Sequence, residues 1–274
     1  MPSSTHDGRP LTARDPFAPS RPPSAAPRES RRPLREPLPL HHPDTGVPLA
    51  HVWAAAPGTY GDYIPSAAGE RRRLATFRRG QDRRLYVTAR ALLRTALSRC
   101  VPEVAPGEWC FTVGPHGRPE PAGPPTVPRL RFSIAHVPDL AVCLVCPELD
   151  CGIDVETLDR SVDPARVARA MFHPRESAQV STAPPAERGT LFLRHWTLKE
   201  AYGKARGLGF LLPSDSYAFD LSPSGPPRLA ATADDDGTRW QFEQWSQGAR
   251  HVVAVAVRRG DGPDVQVVRH AGPP

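Results

Sequence analysis

The sequence predicts an α+β protein, and three observations carry that prediction. Short segments in which apolar and polar residues alternate, as in strands, are interleaved with longer segments of helical periodicity. Turns containing Pro and Gly separate the strand-like segments in the last third of the chain. Each half of the chain beyond residue 47 offers a strand, then helices, then further strands.

Composition divides the 274 residues into three expected segments: a tail over 1–47, a first half over 48–150 and a second half over 151–274. The tail has ten prolines in its first forty positions and little apolar periodicity, so it cannot bury enough surface to offset its ordering entropy and is expected to be disordered. No apolar run is long enough to cross a membrane, and no signal peptide is recognisable. Five cysteines, an odd number, suit a reducing compartment. We therefore expect a cytoplasmic protein.

The first half is expected to open with a strand over Leu49–Ala54. Helical periodicity then runs from Ala67 to Ser98, with an interruption at Gly80. Between Glu70 and Arg94 there are nine arginines and two acids. This basic face is either a solvated surface or one that attracts an anionic ligand or an acidic partner protein.

Two further strands are expected over Arg131–Val137 and Leu140–Cys146. Cys143 and Cys146 form a C-x-x-C pair, but their odd spacing puts them on opposite faces of a strand, which argues against a zinc or redox site. Taken alone, a single histidine after a strand, such as His136, more often has a structural role than a ligand-binding one.

In the second half, a strand over Cys151–Glu156 is followed by a short helix over Asp163–Phe172. Three prolines indicate that His173–Arg188 is partly loop. A long amphipathic helix is expected over Leu191–Leu211, near glycines that can end it. Later strands are expected over Ser216–Leu221, Arg239–Trp245, His251–Val257 and Asp264–Arg269.

The Cys151–Glu156 strand carries paired acids. Because Asp154 and Glu156 alternate with apolar residues, a strand points both carboxylates to one face. Two like charges side by side are unfavourable without a cation between them. A helical carboxylate packed across that strand would complete an oxygen cluster suited to Mg2+. The alternative is an exposed strand with solvated acids.

The long helix carries the matching groups, because Thr197, Glu200 and Lys204 share one stripe at i, i+3/i+4 spacing. Lys199 and Lys204 are the only lysines in a chain with 35 Lys plus Arg. An ammonium is a compact point charge that can approach one phosphate oxygen, whereas a guanidinium is a broad fork. The alternative is an ordinary exposed ion pair between Glu200 and Lys204.

These two motifs together carry a resemblance to a known family. G-I-D-V-E at Gly152–Glu156, followed by W-T-L-K-E-A-Y-G-K-A-x-G at Trp196–Gly207, resembles the signature pair of the Sfp-type 4'-phosphopantetheinyl transferases. The resemblance implies an α+β fold of two similar halves related by a pseudo-twofold, with a ligand cleft between them. It also implies a Mg2+ ion held by Asp154, Glu156 and Glu200. Glu200 is then expected to accept the proton of the substrate serine, directly or through water, and Lys204 to meet the leaving phosphate.

The resemblance extends to two weaker segments that imply coenzyme contacts. Arg118, in the turn V-G-P-H-G-R-P-E-P, stands where the family has the Lys of a G-K-P turn. His136, in R-F-S-I-A-H-V, stands where a family His approaches the 3'-phosphate of coenzyme A, although Ser133 replaces the family's Asn and two hydroxyl positions are apolar. Arg118, His136 and Lys204 are therefore expected to bind the coenzyme. Lys199 lies on another side of the helix and is expected either to contact phosphate from there or to pair structurally.

The implied activity is transfer of the 4'-phosphopantetheine arm of coenzyme A to a serine of an acyl, aryl or peptidyl carrier protein, with release of 3',5'-ADP. The segment between the two signatures is expected to help dock that carrier. We expect no nucleic-acid or membrane partner, and a monomer, since the two-half layout allows one. Two rival interpretations are a metal-dependent phosphohydrolase that uses water as acceptor, and a nucleic-acid-binding module that uses the tail and the basic face.

Overall fold

A computed structural model describes residues 36–61, 63–114, 116–122, 128–159, 162–222, 225–232 and 234–274. Within these ranges the chain forms five α-helices and eleven strands, so the predicted α+β class is confirmed. The helices are α1 Ala68–Thr76, α2 Gly80–Cys100, α3 Pro164–Met171, α4 Pro174–Thr182 and α5 Pro185–Arg206. The strands are β1 Leu49–Ala55, β2 Cys110–Val113, β3 Pro119–Ala122, β4 Leu130–Val137, β5 Leu140–Pro147, β6 Cys151–Thr157, β7 Ala218–Asp220, β8 Arg228–Ala231, β9 Trp240–Gln247, β10 His251–Arg258 and β11 Gln266–Arg269.

Two sheets form the centre of the described fold. One has the strand order β11-β1-β5-β4 and the other the order β6-β10-β9, and β2-β3 and β7-β8 are separate two-stranded hairpins. Neighbouring strands are antiparallel except β1 and β11, which are parallel. Because β11 joins the first sheet, the last strand of the predicted second half returns to the first half.

The layers follow from the alternation of buried side chains along the strands. On β5, Cys143 packs in a core cluster with α2, whereas Cys146 packs in a second cluster that lies between the two sheets. The expectation that these cysteines lie on opposite faces is therefore confirmed. Ala254 and Ala256 of β10 pack in a third cluster with α5. The described part of the chain is thus layered as α2, first sheet, second sheet and α5.

Three helices begin with proline at their first position: Pro164, Pro174 and Pro185. Proline is tolerated there because the first N–H groups of a helix have no intrahelical acceptor, so its missing N–H removes no bond. His173–Arg188 was expected to be partly loop, and its non-helical part is confined to His173 and residues 183–184, since the rest forms α4 and the first turn of α5.

The fold begins before the predicted boundary at residue 47. Leu38 and Leu40 pack against the cluster under α2, and the Leu38 N–H donates to the carbonyl of Arg99 at 2.9 Å. Residues 1–35 of the predicted tail lie outside the described residues. Among the described residues, no helix combines the length and the apolar character that crossing a membrane requires.

Two glycines set how α5 meets the second sheet. A Cβ added at Gly152 of β6 would lie 2.0 Å from the carbonyl oxygen of Ala201, so only glycine lets the strand and the helix approach this closely. Gly207 ends α5 in the left-handed conformation, with φ of 67°, which glycine adopts without steric strain. The helix is thereby fixed with its last two turns over β6.

Candidate active site

A cleft of about 490 Å³ opens where the two halves of the chain meet. Its walls come from α2, the turn between β2 and β3, β4, β6 and α5. The polar side chains that line it are Arg90, His116, Arg118, Ser133, His136, Asp154 and Lys204. Four of the residues singled out from the sequence, Arg118, His136, Asp154 and Lys204, therefore share one cleft.

The central contact of the cleft joins α5 to β6. The ammonium of Lys204 donates to Asp154 Oδ1 at 2.6 Å and to the carbonyl oxygen of Ile153 at 3.1 Å. Asp154 is 6% exposed, so its carboxylate is largely removed from water and depends on this partner. A strong charge-assisted pair thus forms between residues fifty positions apart in the chain.

The other two predicted metal ligands lie on the same two elements. Asp154 and Glu156 project from the side of β6 that faces α5, the side that Gly152 leaves open, and Glu200 lies one helical turn before Lys204. Among the described residues, however, no group of three or more His, Cys, Asp or Glu side chains is arranged so that it could hold a metal ion. The assignment of Asp154, Glu156 and Glu200 as Mg2+ ligands therefore stays a prediction from the sequence.

His136 lies near the end of β4 and lines the same cleft as Lys204. Desolvation lowers the pKa of its imidazole, and the positive charges of Arg90 and Lys204 lower it further. The imidazole is therefore neutral near pH 7. An anionic group bound between these cations would favour the protonated form.

Lys199 does not line the cleft. Its ammonium lies 2.7 Å from Glu176 Oε2 and donates to the carbonyl oxygens of Ser214 and Tyr217, both at 2.7 Å. Lys199 is 3% exposed, and burial lowers its pKa while Glu176 opposes that shift. This corrects the expectation of a coenzyme contact, because the three protons of the ammonium are directed to acceptors inside the protein. Of the two roles expected for Lys199, contact with phosphate and structural pairing, the structure supports structural pairing.

Arg118 lines the cleft but also holds the backbone of the second half. Its guanidinium donates to the carbonyl oxygens of Lys204 at 3.0 Å and Ala205 at 2.7 Å. A third bond of 2.9 Å reaches the carbonyl oxygen of Cys151. A coenzyme contact was the only role expected from the sequence for this residue.

Three of the polar residues that line the cleft were not singled out as ligands from the sequence: Arg90, His116 and Ser133. From the sequence, Ser133 was noted only as the residue that replaces an Asn of the family. In the structure its hydroxyl accepts a 3.1 Å hydrogen bond from the N–H of Ile153 and so links β4 to β6. His116 shares a turn with Arg118, and that adjacency was an available signal. Arg90 was one of nine arginines with no feature to distinguish it.

The structure divides those nine arginines. Arg90 and Arg94 are buried, and Arg94 pairs with the buried Glu70 at 3.2 Å. The seven others are exposed on α1, on the first turns of α2 or between the two helices: Arg71, Arg72, Arg73, Arg78, Arg79, Arg83 and Arg84. Gln81 donates to the carbonyl oxygen of Pro138 at 3.2 Å, so the start of α2 lies beside the turn that follows His136. The part of the basic face at the start of α2 therefore lies near the end of β4.

Comparison with known proteins connects this site to a family. A family model described as the 4'-phosphopantetheinyl transferase superfamily matches residues 150–256, a segment that includes Asp154, Glu200 and Lys204. The 4'-phosphopantetheinyl transferase HetI of Nostoc sp. is 31% identical over 177 residues, which cover 65% of this chain and 72% of HetI. This chain belongs to the 4'-phosphopantetheinyl transferase superfamily. The resemblance inferred from the two signature motifs is confirmed.

Other members of the superfamily match to different extents. The 4'-phosphopantetheinyl transferase of Bacillus subtilis is 29% identical over 181 residues, which cover 61% of this chain and 77% of that protein. The human L-aminoadipate-semialdehyde dehydrogenase-phosphopantetheinyl transferase is 30% identical over 152 residues, 49% of this chain and 48% of its own length. The predicted class of enzyme, a transferase, is thereby confirmed.

Proposed function

We propose that this chain transfers the 4'-phosphopantetheine group of coenzyme A to a serine of a carrier protein. The serine oxygen forms a bond to the phosphorus nearer the pantetheine, the bond from that phosphorus to the 3',5'-ADP oxygen breaks, and the serine proton passes to a base. The observation that carries the proposal is that the paired Lys204 and Asp154 share one cleft with His136, in a chain of this superfamily.

The roles we propose at the reacting groups follow from charge and position. The Lys204 ammonium faces the cleft, where it can stabilise charge on the leaving phosphate. Glu200, one turn away on the same side of α5, would accept the serine proton. Asp154, Glu156 and Glu200 offer the hard oxygen donors that Mg2+ prefers, and they lie on facing elements, so they fit this ion in kind. When bound there, Mg2+ would neutralise charge on the diphosphate.

The part of the cleft lined by basic side chains would hold the nucleotide. His136 and Arg118 belong to that lining, and the start of α2, with its exposed arginines, lies beside the turn that follows His136. Phosphate groups carry several negative charges, and clustered cations increase both their local concentration and their rate of association. We therefore propose that the basic face serves an anionic partner rather than being a merely solvated surface.

We propose that the segment between the two motifs contacts the carrier protein. Val162, two residues before α3, and Met171, the last residue of α3, are exposed apolar residues with exposed fractions of 38% and 40%. Arg166 and Arg169 are exposed on the helix between them. Exposed apolar groups with flanking cations suit a protein surface of opposite charge.

We also propose that the two halves are related by a pseudo-twofold and act within one cytoplasmic monomer. In support, the two main sheets share a strand order. The first half has β1-β5-β4 and the second half has β6-β10-β9, so, with the hairpins β2-β3 and β7-β8 left out, each half places its first, third and second strands side by side in that order. The cleft draws its walls from both halves of one chain, so a second copy is not needed to complete it. All five cysteines are free, which suits a reducing compartment.

The test is mass spectrometry of an apo carrier protein incubated with this protein, coenzyme A and Mg2+. We expect the carrier to gain the mass of one phosphopantetheine group. Asp154→Ala and Glu200→Ala are expected to abolish labelling, whereas Asp261→Ala, which removes an exposed acid paired with Arg239, is the matched control and should label normally. Cleavage of coenzyme A without a carrier would instead indicate a phosphohydrolase. Full labelling by both carboxylate variants would refute the roles proposed for Asp154 and Glu200.

A further inference from the structure

Arg118 belongs to the first half of the chain, but its guanidinium binds the backbone of the second half. It lies next to β3, and its bonds end on the last turn of α5, at Lys204 and Ala205, and on the first residue of β6, Cys151. Its side-chain stem runs over the glycine that ends α5, since a Cβ at Gly207 would lie 3.4 Å from the Arg118 Cδ. One side chain therefore contacts both elements that carry the central ion pair of the cleft.

The residue type matters for this contact. The last carbonyl groups of a helix lack intrahelical partners and carry partial negative charge, so a cation is favoured beside them. The planar guanidinium can donate to carbonyls of two different elements at once, whereas an ammonium is a single point charge. Arginine at this position is thus suited to holding α5 and β6 in one fixed arrangement.

The arrangement that Arg118 holds includes a reacting group. The carbonyl of Lys204 accepts from Arg118, while the ammonium of the same residue reaches Asp154 on β6. We propose that Arg118 is a positioning residue that fixes where the Lys204 ammonium lies in the cleft, an inference that rests on the proposed function. It also explains why arginine can stand at a position for which the family resemblance implies lysine.

Arg118→Lys separates this role from a direct coenzyme contact. The variant keeps a positive charge at the cleft wall but loses the fork that reaches three carbonyls. We therefore expect the KM for coenzyme A to stay within about twofold of wild type while kcat falls by about 10- to 100-fold, the effect of a displacement of about 1 Å at a reacting group. Arg118→Ala should show the same fall in kcat with a raised KM. Wild-type kcat in Arg118→Lys would overturn the proposal.

A double-mutant cycle tests whether Arg118 acts through Lys204. In a Lys204→Ala background the ammonium that Arg118 is proposed to position is gone, so adding Arg118→Ala should change kcat by less than about twofold. A role confined to fold stability would lower kcat equally in both backgrounds, and that result would refute the proposal. The matched control is Arg259→Lys, which removes guanidinium bonds to the carbonyls of Thr238 and Gly262 away from the cleft and should leave kcat unchanged.

Hydrogen exchange gives a measurement that does not depend on activity. Amides of the last turn of α5, residues 203–206, should exchange faster in Arg118→Lys and Arg118→Ala than in wild type, and Arg259→Lys should not change them. Unchanged exchange rates in both Arg118 variants would contradict the proposal that Arg118 holds the last turn of α5. If the wild-type protein labels no carrier, the proposed function fails, and the exchange data still decide whether Arg118 holds α5.

Discussion

Gly152→Ala is the perturbation with the most direct structural prediction. The Cβ that alanine adds would lie 2.0 Å from the carbonyl oxygen of Ala201, 2.7 Å from the amide nitrogen of Ala205 and 3.0 Å from the carbonyl carbon of Ala201. Non-bonded carbon atoms pack at about 3.5–4.0 Å, so α5 would have to retreat from β6 by about 1 Å or more. The clashing atoms belong to backbone, which cannot turn aside as a flexible side chain could.

The expected loss of stability is at or above the upper end for overpacking, about 3 kcal/mol. The displacement should also break the contact between Lys204 and Asp154, which is 2.6 Å in the structure. We therefore expect carrier labelling to fall by about 100-fold in whatever fraction remains folded. Urea denaturation followed by far-UV circular dichroism measures the first effect, as a lower midpoint with an unchanged slope.

Gly203→Ala is the matched control, on the helix that faces Gly152. Apart from its chain neighbours and the backbone of its own helix, no atom lies within 4 Å of the Cβ that this change would add, and the position is inside α5. Alanine there should raise the free energy of unfolding by up to about 1 kcal/mol, because glycine is unfavourable in a helix interior. If the free energy of unfolding of Gly152→Ala lay within about 0.5 kcal/mol of the wild-type value, the close approach of β6 and α5 would be refuted.

Three further predictions follow from the charged groups. Lys204→Met removes the ammonium that now occupies Asp154, so Mn2+ binding without coenzyme, measured by electron paramagnetic resonance, should tighten by about tenfold; unchanged affinity would show that the two cations do not compete. The pKa of His136 is lowered in the free protein and should rise when phosphate binds, so binding takes up a proton and the KM for coenzyme A should increase from about pH 6 to about pH 8; His136→Gln should flatten that profile, and a wild-type slope in the variant would exclude this histidine. Lys199→Met removes the ammonium beside the buried Glu176 carboxylate and should lower the free energy of unfolding by about 3 kcal/mol with an unchanged KM for coenzyme A; a raised KM would indicate that Lys199 contacts the coenzyme.

Local patterns were sufficient to predict most elements, and the exceptions have physical causes. The β6 strand, α3 and the end of α5 at glycine follow from alternation, helical periodicity and capping, which act within a few residues. The segment around α4 was predicted as partly loop because its prolines were interpreted as breakers. A proline at the first helical position lacks only an N–H that has no intrahelical acceptor, and the sequence alone does not say which side of a proline the helix occupies.

The sequence by itself determined the family, because the strand motif with Asp154 and the helix motif with Lys204 together occur at a characteristic separation. It could not determine the direction in which each lysine points relative to the rest of the fold. Lys199 and Lys204 are about 140° apart around the helix, so one enters the protein interior beside Glu176 while the other enters the cleft. Only the tertiary structure decided this, and only it showed Arg118 bound to the end of α5, because burial and the choice of partner depend on residues far apart in the chain.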